Sequence, residues 1–199
     1  MEKTLPDKKS KLLTWTAIAI IGILITSIVL YFLFMEVSVI SRLSDPEDDV
    51  ALSMGTEYPG MIDVVNAALE ANVTTLNVTM NMKNPIPDLG DGEYAQWNLT
   101  IILENETELL KAYELCVQMN STQLSGYVVE IGEQTTKACQ ACHCKNSLTV
   151  LAVIDELQSA KEVEWSILTT YERYSGDELI TSGSDIAPDE GLQRTVLKG

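Results

Sequence analysis

Residues 12–34, LLTWTAIAIIGILITSIVLYFLF, contain no charged side chain. About 20 consecutive apolar residues cross the hydrocarbon core of a bilayer as one helix, so this run is long enough to span. A cleaved signal peptide has a shorter apolar region, about 7–15 residues, ahead of a small-x-small site. This run instead exits through Tyr31, Phe32, Phe34 and Met35. The expectation is a retained signal-anchor: one N-terminal transmembrane helix.

The flanks orient it. Lys3, Lys8, Lys9 and Lys11 precede the run, whereas the next twenty residues hold Arg42 against Glu36, Asp45, Glu47, Asp48 and Asp49. Positive charge stays inside, which puts the N-terminus in the cytoplasm and exports the rest to an extracellular, lumenal or periplasmic side. Trp15, Gly22 and Ser27 are the span residues suited to close helix contact within the bilayer.

Of the 29 acidic residues, 27 lie beyond the span, with nine of the 13 Lys and Arg, a net charge of −18 there. Such a surface repels phosphate backbones, so nucleic acid is excluded as a partner. The expected organisation is a cytoplasmic tail over 1–11, the span over 12–34, a polar stalk over 35–60, a β-rich body over 61–175 and a flexible acidic tail over 176–199.

Periodicity supports the body. Leu76, Val78, Met80 and Met82 alternate with Thr75, Asn77, Thr79 and Asn81, the pattern of a half-buried strand. Trp97, Leu99, Ile101 and Leu103 repeat it, as do Tyr113 to Met119, Tyr127 to Ile131 and Val163 to Tyr171. Met61 to Ala71 reads as a short helix, and Leu148 to Gln158 as strand or helix with a slight helical bias. Short strands divided by turn signals such as NPIPDLGDG predict a mainly β fold, an antiparallel immunoglobulin-like sandwich.

Five Asn-x-Ser/Thr acceptors stand at Asn72, Asn77, Asn98, Asn105 and Asn120, all beyond the span. Average composition gives roughly one in such a length. They mark the body as a glycoprotein domain.

Cys116 stands apart from Cys139, Cys142 and Cys144 in KACQACHCKNS. An even count on an oxidising side predicts two disulfides, Cys116 reaching into the cluster, with connectivity open. Cys139-Gln-Ala-Cys142-His143 also matches the c-type haem attachment pattern, in which two thioethers hold the porphyrin and the histidine ligates iron. Met119 would then be the candidate second axial ligand, and Cys116–Cys144 a remaining disulfide. Zinc on the same thiolates is a third reading. No catalytic residues and no other metal site stand out: His143 is the one histidine, so a Ser-His-Asp or Cys-His nucleophile has no base, and an enzyme is the less expected class.

VTTLNVTMNMKNPIP, followed by Tyr94 and WNLTIIL, resembles the water-stress and late-embryogenesis-abundant type 2 β-sandwich family. There an alternating strand leads into Asn-Pro-x-Pro and then a Tyr-bearing strand. The resemblance implies an immunoglobulin-like fold and a binding or membrane-associated role, with no catalytic residues to carry over; the cysteine cluster and the acidic tail fall outside it, and outside the haem alternative no cofactor is expected. The functional expectation is a membrane-anchored binding or assembly subunit of a surface or membrane complex, with the bilayer and other proteins as partners. A membrane-anchored monohaem electron carrier is the alternative, and an archaeal pilin-like or filament-anchoring protein ranks lower.

Overall fold

The computed structural model describes residues 39–56, 59–105, 108–133, 136–189 and 191–197. The tail over 1–11 and the span over 12–34 lie outside the described residues. Among the described residues no helix is long and apolar enough to cross a membrane.

The body is mainly β, two antiparallel sheets enclosing one core. The strands are β1 (Val39–Ser44), β2 (Ala51–Met54), β3 (Val64–Ala71), β4 (Thr75–Met82), β5 (Glu93–Glu104), β6 (Leu109–Met119) and β7 (Leu124–Glu130). They continue with β8 (Thr136–Ala138), β9 (Gln140–Cys144), β10 (Ser147–Val153), β11 (Glu162–Ser175), β12 (Glu178–Ala187) and β13 (Gln193–Val196). The first sheet runs β1-β3-β4-β10-β9; the second runs β2-β12-β11-β5-β6-β7-β8, with β13 beside the start of β11.

Alternation builds the core. Leu76, Val78, Met80 and Met82 of β4 face Leu99, Ile101, Leu103, Leu115 and Val117 of the other sheet within one buried cluster, with Trp97 and Trp165 fully enclosed. Shortening one of these, Leu99→Ala for example, removes transfer energy and leaves a cavity, about 2–5 kcal/mol. The Asn84-Pro85-Ile86-Pro87 loop follows β4, where Ile86 is buried and its N–H donates to Lys145 O at 2.8 Å.

Four segments differ from expectation. Met61–Ala71 is not helical: β3 carries a bulge between Val64 and Asn66, which moves the buried set from Val64 to Ala67, Leu69 and Ala71. That shift in phase mimics helical spacing. Over 148–158, Leu148, Val150 and Ala152 point inward from β10 and a 3₁₀ turn over Asp155–Gln158 follows. The stalk over 35–60 supplies β1 and β2, and the tail over 176–199 supplies β12 and β13. The inward positions of β12 are Gly183, Asp185 and Ala187, too small or too polar to read as a buried face.

Candidate functional site

The body's most unusual chemistry lies where β1, the β1–β2 loop and β12 meet. Asp45 follows β1, and its N–H donates to Val65 O at 3.1 Å, which fixes it against β3. Asp48 turns the loop through a left-handed backbone, φ 69°, a conformation that Asp tolerates better than most residues. Its N–H donates to Asp63 Oδ2 at 2.9 Å and its carboxylate pairs with Lys83. The turn carries Asp49 back toward the sandwich. From β12, Asp185 reaches inward opposite Thr169 of β11, and its Oδ2 accepts the Val64 N–H at 2.8 Å.

Asp45, Asp49 and Asp185 thereby place carboxylate oxygens within 4.8 Å of one another. Asp45 is 7 % exposed and Asp185 3 %. Asp45 Oδ2 and both Asp49 carboxylate oxygens are buried with no hydrogen-bond donor. No Lys or Arg among the described residues forms an ion pair with any of the three. Burial, then Asp185, Asp49 and Asp189, push the Asp45 carboxyl up to about 7. Burial is also the main cause that lifts Asp185 to about 6 and raises Asp49. Three hard oxygen donors in one place are the donor set of a divalent cation such as calcium. Sequence reasoning missed this site. It places Asp45 and Asp49 in the polar stalk and Asp185 in the flexible tail, and no local spacing links residues so far apart in the chain.

No disulfide joins the cysteines. All four are free thiols in this structure. β7 lies between Cys116 on β6 and Ala138 on β8, where Cys116 pairs with Tyr127 and Tyr127 with Ala138. Cys139 is the residue at which the chain leaves the second sheet for the first, and it packs against the core. Cys142 and Cys144 lie exposed on the outer face of edge strand β9, and burial raises the Cys116 thiol pKa.

Cys142 and His143 of the haem-attachment pattern do not share a face. Cys142 and His143 are adjacent in an extended strand, so they point to opposite faces; Cys142 is exposed while His143 is half-buried with its Nδ1 enclosed. Met119 is part of the core at the end of β6. Nor do the thiols and His143 come together as zinc ligands: among the described residues the one such group is the aspartate trio.

The sequons all occupy outward positions. Asn77 and Asn98 lie on the outer faces of β4 and β5, alternating with buried neighbours. Asn72, Asn105 and Asn120 lie at hairpin turns. Asn120 Oδ1 accepts from the N–H groups of Thr122 and Gln123, and Asn72 Oδ1 from those of Thr74 and Thr75. Such turns also favour asparagine for its own sake.

The fold and site together define a two-sheet antiparallel β-sandwich with an acidic cluster where its first strand meets its penultimate one. No family model matches the chain, and a search of curated proteins returns no match.

Proposed function

We propose that this is a single-pass, membrane-anchored glycoprotein whose body, immunoglobulin-like in its two-sheet packing, works outside the cytoplasm as a binding or assembly subunit. The observation that carries the reading is the joint polarity of the chain: an apolar 23-residue run with lysines on one side, and on the other a −18 body with five sequons. The outward placement of Asn77 and Asn98 supports it, since a glycan there displaces no core side chain. The resemblance to the water-stress and late-embryogenesis-abundant type 2 family agrees in fold and in a binding role. Glycans on the β4 and β5 faces leave sheet edges and loops as the surfaces open to a protein partner.

Expression in a eukaryotic host tests this. Full-length chain is expected to migrate as heavier species that an endoglycosidase collapses to the unmodified mass, with Asn77→Gln and Asn98→Gln each removing one step. Unmodified protein from such a host would contradict the reading.

A further inference from the structure

We propose that Asp45, Asp49 and Asp185 form a calcium site that links the first strand of the body to β12. An acidic cluster alone does not make a site. What points to an ion here is Asp45: the residue is 7 % exposed, yet its Oδ2 is enclosed with no donor. Asp45 belongs to the same trio as Asp49, both of whose carboxylate oxygens are also enclosed without a partner. Buried carboxylate oxygens without partners are costly and rare in native proteins, and a bound cation removes the cost.

The spacing accommodates calcium. Calcium holds oxygens at about 2.3–2.6 Å, so two ligands lie at most roughly 4.6–5.2 Å apart. The three carboxylates, all within 4.8 Å of one another, fit around one such ion. Magnesium usually keeps several waters and takes one or two carboxylates, so three carboxylates in one enclosed place suit calcium better. Asp63 and Asp189 add negative field to the same region. The nearby Lys83 is committed to Asp48 at the turn. The ligands come from the end of β1, the loop after it and β12, so the ion fastens elements of both sheets. The competing account is a trio that shares a proton and binds no metal.

Full-length protein in detergent, stripped with chelator, distinguishes the two. Titration with calcium chloride is expected to show one ion per chain, with Kd in the range of about 10⁻⁴–10⁻³ M typical of extracellular modules. Saturation is expected to raise Tm by about 5–10 °C. Asp45→Asn and Asp49→Asn should each weaken binding at least about tenfold, and Asp45→Asn should raise Tm in chelator while abolishing the calcium response. Asp49 is half-buried, so its variant reports on binding even if the other folds poorly. Absence of stoichiometric binding up to about 10 mM calcium, or equal calcium response in wild type and both variants, would overturn the proposal.

Discussion

The backbone N–H of Val64, at the head of β3, donates to Asp185 Oδ2 of β12 at 2.8 Å, a bond from one sheet to the other. It has company along the same side of the sandwich. Thr169 Oγ1 donates to Ile62 O at 2.5 Å, and Trp165 Nε1 donates to Ser41 Oγ at 3.1 Å. A buried N–H that loses its acceptor costs about 1–3 kcal/mol. Asp185→Ala is therefore expected to lower the stability measured by urea unfolding by about that amount. Asp185→Asn keeps an acceptor and removes a like charge, so in chelator it should match or exceed wild type.

Ending the chain after Ser175 tests the role of the last strands. β12 pairs with β11 from Ile167 to Ser175 and β13 pairs with Glu162 to Trp165. Without them β11 becomes a bare edge and Trp165 loses cover. The truncated protein is expected to show no cooperative thermal transition; unchanged Tm would mean these residues are dispensable.

How far the fold was legible follows from such cases. β4, β5 and β11 announced themselves because each keeps unbroken alternation over at least eight residues. β3 was misread because its bulge breaks the phase. β12 was misread because its inward residues are Gly183, Asp185 and Ala187. The acidic site was hidden for a related reason: Asp45 and Asp185 meet only after β12 docks, and nothing near either residue in sequence signals the other.

Acid should weaken the body through Glu93. The Tyr171 hydroxyl, at 2.7 Å, and the Gly90 N–H, at 2.6 Å, hold its carboxyl below the usual carboxylate range. A depressed carboxylate contributes stability above its unfolded value, about 4.3, and loses it as pH falls through the folded value. Glu156, lowered chiefly by the Tyr113 hydroxyl, acts in the same direction. Urea midpoints at pH 7 and pH 3 should differ less in Glu93→Gln and Tyr171→Phe than in wild type. An unchanged difference would remove Glu93 from the account.

Thiol labelling reads the corner at Cys139. In native protein, maleimide is expected to modify Cys142 and Cys144 readily and Cys116 only after unfolding, since Cys116 is 4 % exposed. Protein made in a haem-attaching host should be colourless. A covalent haem band that survives denaturation would contradict the placement of Cys142 and His143 on opposite faces.

The side of a membrane on which the sandwich lies decides what it can bind. An epitope placed after Gly199 of the full-length chain, probed with antibody on intact cells, measures this directly. Staining without permeabilisation is the expected result. Staining that requires permeabilisation, with an N-terminal epitope exposed instead, would contradict the account.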